Sequence, residues 1–187
     1  RLLVCAGTGC IANGSLELAD ALQKELAARG VKMDVELSLK KTGCHGFCEH
    51  GPLVTFQPEE IFYQRVAVKD VAEIVEKTVL GGQIIDRLLY KDPVKKENVV
   101  KYFDIPFYAK QQRIVLANCG QIDPALIDEY FGIGGYSALK KVLEEKNPDG
   151  VVSTIEEAGL RGRGGGGFTT GKKWRICRSV AADKKYL

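Results

Sequence analysis

The chain opens Arg1-Leu2-Leu3-Val4-Cys5-Ala6-Gly7-Thr8-Gly9-Cys10, and Gly43-Cys44-His45-Gly46-Phe47-Cys48 follows after a gap of 33 residues between Cys10 and Cys44. Residues 1–4 read as a short strand that delivers Cys5 into a turn rich in glycine, Gly7 and Gly9. From Ser15 to Arg29, Leu18, Leu22 and Leu26 recur at helical spacing, and Gly30 supplies the stop. Val31, Met33, Val35, Leu37 and Leu39 then alternate with polar residues, which is the period of a half-buried strand. Beyond the second cysteine pair, Leu53-Val54-Thr55-Phe56 and Ile61-Phe62-Tyr63 read as a hairpin around Pro58-Glu59-Glu60. A last helix runs from Asp70, as cap, through Val71, Ile74 and Val75 to Leu80, where Gly81-Gly82 ends it. Strand, helix, strand, then strand, strand, helix is the α/β layout of a thioredoxin-like domain of about 80 residues. At that size a metal cluster commonly supplements a small core.

The first domain is accordingly set at 1–82. Residues 83–113 read as a connecting arm, with a charged stretch from Lys91 to Glu97 and an aromatic one, Tyr102, Phe103, Phe107 and Tyr108, whose expected role is packing. Residues 114–187 read as the start of a second, incomplete domain. Asp123-Pro124 is a cap followed by proline, so a helix is expected from there to Phe131, broken by Gly132 to Gly135. A second helix is expected from Tyr136 to Lys146, ending at the turn Asn147-Pro148-Asp149-Gly150, and a short one around Ser153 to Ala158.

Net charge is +3 over 187 residues, but its distribution is uneven. Residues 1–80 hold 9 Lys/Arg against 11 Asp/Glu, whereas residues 161–187 hold 8 against 1. A basic island of this kind fixes the sign of a partner and leaves its chemistry open between phosphate and nucleic acid. No apolar run approaches the roughly 20 residues that span a bilayer, and the first residues are too few for the apolar part of a signal peptide. No direct membrane insertion is expected. Six cysteines without a signal sequence point to a reducing, cytoplasmic setting, where thiols serve metals or chemistry more often than disulfides.

Four residues separate Cys5 from Cys10 and three separate Cys44 from Cys48. Both pairs sit in glycine-containing loops next to predicted strands, so backbone N–H groups can approach the sulfurs of a cluster and stabilise its charge. Structural zinc needs the same four thiolates, but zinc loops usually use two-residue spacers within a tight knuckle, and the spacing here favours an iron–sulfur cluster. His45 raises a centre with two histidine ligands, an arrangement that replaces two cysteines rather than adding to four. His45 and His50 are therefore read as supporting or exposed residues, and Cys119 and Cys177 as small buried hydrophobes.

The second signal is the run from Gly159 to Trp174, which contains Gly162-Arg163-Gly164-Gly165-Gly166-Gly167-Phe168 and ends Gly171-Lys172-Lys173-Trp174. It satisfies a G-x-G-x-x-G pattern almost automatically, because four glycines are consecutive, and no strand precedes it. It also matches most of a phosphate-binding G-x-x-x-x-G-K loop, yet Lys173 stands where Ser or Thr would hold magnesium. Exposed glycine amides ringed by Arg161, Arg163, Lys172 and Lys173 suit phosphate or flavin.

The cysteine spacing of residues 1 to about 80 resembles the thioredoxin-like ferredoxins that accompany NADH dehydrogenases and bifurcating hydrogenases. The resemblance implies one [2Fe–2S] cluster on Cys5, Cys10, Cys44 and Cys48. The glycine run, with Gln112-Arg-Ile-Val-Leu-Ala-Asn-Cys-Gly120 and Gly134-Gly-Tyr-Ser-Ala-Leu139, resembles the NADH-oxidising flavoprotein subunit of complex I and its relatives in bifurcating hydrogenases and formate dehydrogenases. By that resemblance Gly162, Arg163, Gly164, Gly165, Gly166 and Gly167 lie at FMN and NAD(H), Phe168 stacks on adenine and Lys173 reaches the flavin. Where that family usually has proline and a second adenine-stacking phenylalanine, this chain has Thr169 and Ile176.

The fused arrangement is most like the beta subunits of NAD-dependent hydrogenases and formate dehydrogenases. It implies electron exchange between NAD(H), FMN and iron–sulfur clusters, with further clusters in a C-terminal part beyond Leu187. The implied partners are a small [2Fe–2S] subunit and a catalytic hydrogenase or formate dehydrogenase subunit, with no nucleic acid. The rival reading is a non-catalytic [2Fe–2S] electron carrier or docking module of such a complex.

Overall fold

A computed structural model describes residues 1–31 and 39–184, and divides the chain into two compact units, Arg1–Tyr130 and Phe131–Leu187. In the first unit, β1 (Leu2–Cys5), β2 (Leu39–Thr42), β3 (Val54–Phe56) and β4 (Ile61–Tyr63) form a sheet in the order β2-β1-β3-β4. β1 pairs parallel with β2, Cys5 opposite Thr42, and antiparallel with β3, Val4 opposite Val54. β3 and β4 are the two arms of the expected hairpin, Thr55 opposite Phe62. The expected strand residues Met33, Val35 and Leu37 lie outside the described residues.

All four β1 residues are buried, and the two-residue period of the strand separates Leu2 and Val4 from Cys5, which enter different cores. Leu2 and Val4 join Leu18, Leu22 and Leu26 of α2 (Ser15–Ala28), together with Val54, Tyr63 and Ile74. Cys5 belongs to the other core, with Cys10, Leu53, Phe62, Tyr90, Tyr102, Ile105 and Tyr108. Residues 83–113 close this second core by lying along β4. The N–H of Phe62 donates to the Val100 carbonyl at 2.9 Å, that of Tyr102 to Glu60 at 2.9 Å, and that of Gln64 to Leu88 at 2.9 Å. A short ladder of β5 (Tyr90–Lys91) with β6 (Asn98–Val99) and the helical turn α4 (Pro106–Ala109) belong to the same stretch. Of the four aromatics expected to pack, Tyr102 and Tyr108 are buried, while Phe103 and Phe107 remain 53% and 40% exposed.

Local structure departs from expectation where a side chain competes with the simple pattern. The turn after Cys5 contains a short helix, α1 (Thr8–Ala12), which carries Cys10. The helix expected from Asp70 starts earlier, as a tight turn at Val68–Asp70, then runs through α3 (Val71–Glu73) into a wider π-type stretch, Ile74–Leu80. Ala67 has no acceptor with which to cap it. The Asp70 carboxylate reaches back instead to accept the Ala67 N–H at 2.8 Å, and it also accepts from Arg87 at 2.8 Å.

Helix α5 (Ile127–Gly132) spans the boundary between the units in sequence. It begins later than Asp123 because the Asp123 carboxylate accepts the N–H of Ala125 at 2.9 Å and holds a turn there. The second unit contains α6 (Ser137–Glu145), α7 (Pro148–Glu157) and α8 (Thr170–Ser179). Asn147-Pro148-Asp149-Gly150 is not a turn between helices but the start of α7. The Asn147 side chain accepts from Gly150 at 2.9 Å, and Pro148 occupies the first turn, where no N–H is needed. α8 packs on α7 through the buried Gly171 and through ion pairs of Arg175 with Glu156 at 2.6 Å and Arg178 with Asp149 at 2.6 Å. Among the described residues no helix is long and apolar enough to cross a membrane.

Candidate metal centre

β1 ends at Cys5, and parallel pairing with β2 brings the loop that begins at Gly43 to the same end of the sheet. Two cysteine loops, one on each side of a strand pair, are thereby laid against each other. The Cys5 thiol lies 4.0 Å from the Gly43 carbonyl oxygen, and Cys44 and Cys48 place their sulfurs 4.0 Å apart. A β-carbon added to Gly7 would stand 2.9 Å from the Cys44 sulfur, one on Gly9 3.1 Å from that of Cys48, and one on Gly51 2.7 Å from that of Cys10. Gly7, Gly9 and Gly51 are the space into which these sulfurs fit. The loop of Cys44 and Cys48 thus lies against the loop of Cys5 and Cys10, with Cys5 and Cys10 buried and Cys44 and Cys48 exposed.

Charge is prepared there. The Cys5 thiol is drawn down to about 6, first by the hydrogen bond from Cys10, then by the Gly7 and His45 backbone N–H groups and the Cys44 thiol, all working against burial. Cys10 is pushed up in return, through the same shared proton and through burial. Burial also raises Cys44, although the Gly46 N–H donates to its sulfur at 3.3 Å. Backbone donors aimed at sulfur are what a thiolate cluster needs from its surroundings. Among the described residues no three His, Cys, Asp or Glu side chains are arranged to hold a metal ion. The thiols are spread as two neighbouring pairs, and a two-iron centre takes two thiolates on each iron, so the donor set fits that group.

Sequence reasoning undervalued the residues around the thiols. His45, read as supporting or exposed, is 1% exposed. Burial, and secondarily Arg113, lowers it to about 4, so the ring is neutral, with Nε2 3.2 Å from the Thr42 hydroxyl. His50 bonds Gln64 at 2.6 Å and stacks on Phe47 at 4.1 Å between ring centres. Arg113 falls in the stretch Gln112–Gly120 that carries the flavoprotein resemblance, which gave it no role at the cysteines, yet it donates to the His45 carbonyl at 2.7 Å. Cys119 is half-buried, and its sulfur would lie 3.9 Å from a β-carbon on Gly43. Cys177 is exposed in α8 rather than buried as expected, because the apolar residues of that short basic helix have no deep core to enter.

The other predicted site residues lie in the second unit. The stretch from Leu160 to Thr170 is closed at its base, where the Gly162 N–H donates to the Phe168 carbonyl at 2.8 Å and the Thr170 N–H to Leu160 at 2.9 Å. Between them Arg163, Gly164, Gly165 and Gly166 are exposed, with nothing within 4 Å of a β-carbon position on Gly164, Gly165, Gly166 or Gly167. Phe168 is 52% exposed, and Lys173 is exposed in the first turn of α8.

Residues 1–79 match the family described as thioredoxin-like [2Fe-2S] ferredoxin. The 2Fe-2S ferredoxin of Clostridium pasteurianum is 35% identical over 79 residues, which cover 42% of this chain and 76% of that protein. Subunit HndC of the NADP-reducing hydrogenase of Solidesulfovibrio fructosivorans is 51% identical over 78 residues, 42% of this chain and 16% of that subunit. The alpha subunit of the NAD-reducing hydrogenase HoxS of Cupriavidus necator is 25% identical over 194 residues, which take in 100% of this chain and 29% of that subunit. Against both hydrogenase subunits the chain spans well under half their length.

Proposed function

The chain belongs to the thioredoxin-like [2Fe–2S] ferredoxin family, and from that premise we propose that it is the electron-relaying N-terminal part of a NAD-dependent oxidoreductase subunit, with a [2Fe–2S] cluster on Cys5, Cys10, Cys44 and Cys48. The observation that carries the reading is the meeting of the two cysteine loops, glycine against sulfur, at the end of β1 and β2. A bound cluster supplies one-electron storage at a fixed place. The chain supplies four thiolates, the amides of Gly7, His45 and Gly46 as donors to sulfur, and a wall of Leu53, Phe62, Tyr102 and Tyr108 that keeps water from the Cys5 side. Cys44 and Cys48, on the exposed side, are where a redox partner comes nearest.

For the second unit the same proposal makes Gly162–Gly167, with Arg163, Phe168 and Lys173, one wall of an FMN and NAD(H) site. A flavin needs polar groups converging from other sides as well. Open space over the glycine backbone and the exposure of Phe168 support this, because a ring and a diphosphate need that approach. The subunit then works in the cytoplasm beside other iron–sulfur subunits of a hydrogenase, formate dehydrogenase or complex I-type assembly. Likeness to the two hydrogenase subunits supports that setting. Iron and acid-labile sulfide measured on the anaerobically purified chain test the first half, with two of each per chain expected. Zinc or no metal overturns it. Flavin absorbance in the complete subunit tests the second half, and a cluster spectrum with no flavin would leave the electron-carrier reading instead.

A further inference from the structure

We infer that Arg113 is a positioning residue that raises the reduction potential of the proposed cluster by pulling on the His45–Gly46 peptide. The inference rests on the cluster assignment. Its substance is an unbroken line of bonds: Arg113 Nη2 donates to the His45 carbonyl oxygen at 2.7 Å, and the N–H of Gly46, the other end of the same peptide unit, donates to the Cys44 sulfur at 3.3 Å. The His45 backbone also helps to draw the Cys5 thiol down, so the same loop acts on two of the four sulfurs.

The guanidinium is held from several sides. Its Nη1 donates to the Tyr102 hydroxyl at 3.2 Å, its carbon lies 4.9 Å from the centre of the Tyr108 ring, and a β-carbon on Gly46 would stand 3.8 Å from Nη2. Tyr102 and Tyr108 are themselves buried in the core that contains Cys5 and Cys10. A cation fixed in this way against a carbonyl polarises the peptide, and a polarised N–H is a stronger donor to sulfur. Donation to sulfur and nearby positive charge both favour the state with one more electron, so the potential rises.

Arg113 lies outside the family match, which ends at residue 79. It also does not act alone. A β-carbon on Gly120 would stand 2.7 Å from the His45 ring, and one on Gly43 3.8 Å from the Cys119 α-carbon. The segment from Arg113 to Gly120 thus braces the loop that carries Cys44. The stretch leading towards the proposed flavin site therefore also adjusts the first electron centre.

The test is a spectroelectrochemical titration of the full chain, wild type against Arg113→Met and Arg113→Lys, with iron and sulfide measured on each sample. Arg113→Met removes the charge and should move the midpoint to more negative potential at unchanged iron content. Arg113→Lys keeps the charge and should restore most of the difference. If the Met variant loses iron, Arg113→Gln, which keeps an amide donor for the carbonyl, takes its place with the same expected shift. A wild-type midpoint in the uncharged variant overturns the inference, as does an equal shift in the Lys variant, since position without charge would then explain everything. A wild-type chain without iron and sulfide would overturn the cluster itself, a different failure that the analysis of the parent protein reports.

Discussion

Gly7 fits against Cys44 so closely that a β-carbon on the glycine would stand 2.7 Å from the β-carbon of the cysteine and 3.0 Å from its α-carbon. Neither contact is relieved by rotating a flexible tip, because both atoms sit at the root of the side chain. Gly7→Ala should therefore push the two ligand loops apart, cost about 1–3 kcal/mol as overpacking does, and lower iron content sharply. Gly132→Ala is the control, since its β-carbon position meets nothing within 4 Å. Full iron occupancy in Gly7→Ala would show that the loops do not meet as described.

Cys48→Ser should weaken or lose the cluster, whereas Cys119→Ser should leave it intact. The comparison is demanding because Cys119 lies beside Gly43, at the edge of the ligand loop. Serine is a much poorer ligand for iron than a thiolate, so only a true ligand should register the change. Equal iron loss in both variants would mean that the wrong four cysteines were chosen.

A fragment of residues 1–130 should hold iron and unfold in one transition, and a fragment of residues 1–82 should be markedly less stable. The longer one keeps Tyr90, Tyr102, Ile105 and Tyr108 over Cys5, Cys10 and Phe62. Each large side chain so buried contributes about 1.5–3 kcal/mol relative to exposure. Equal thermal midpoints and equal iron retention in the two fragments would show that residues 83–113 contribute nothing to the centre.

In the complete subunit, Gly164→Val and Gly165→Val should both abolish flavin binding and spare the N-terminal cluster, but for partly different reasons. Gly165 has φ +113°, which strains any larger residue whatever surrounds it. Gly164 is open and carries no such angle, so a valine there adds bulk to the exposed loop without backbone strain. Flavin fluorescence and iron content read on the same sample decide it. Full flavin occupancy in Gly164→Val would remove the glycine loop from the cofactor.

Much of the first unit was legible because its signals are local. Leu18, Leu22 and Leu26 repeat along one helix face, Leu2 and Val4 share one strand face, and both sets enter the same core. The hairpin of β3 and β4 and the cysteine loops were likewise visible in residue type and spacing. Errors fell where a side chain takes a backbone donor. Asp70 reaches back to Ala67, Asp123 holds a turn ahead of α5, and Asn147 starts a helix where its Pro-Asp-Gly sequel suggested a break.

The sequence by itself determined the α/β order of the first domain, the four thiols in two glycine-cut loops and the exposed glycine run, since periodicity, spacing and composition are properties of neighbouring residues. Only the tertiary structure decided that residues 83–113 cover the Cys5 face of the sheet, that His45 is buried and neutral, and that Arg113 grips the carbonyl of a residue 68 positions away. No local pattern encodes such contacts. They follow from the parallel pairing of β1 with β2, which brings Cys44 to Cys5, and from the apolar face that pairing leaves for Tyr102 and Tyr108 to cover.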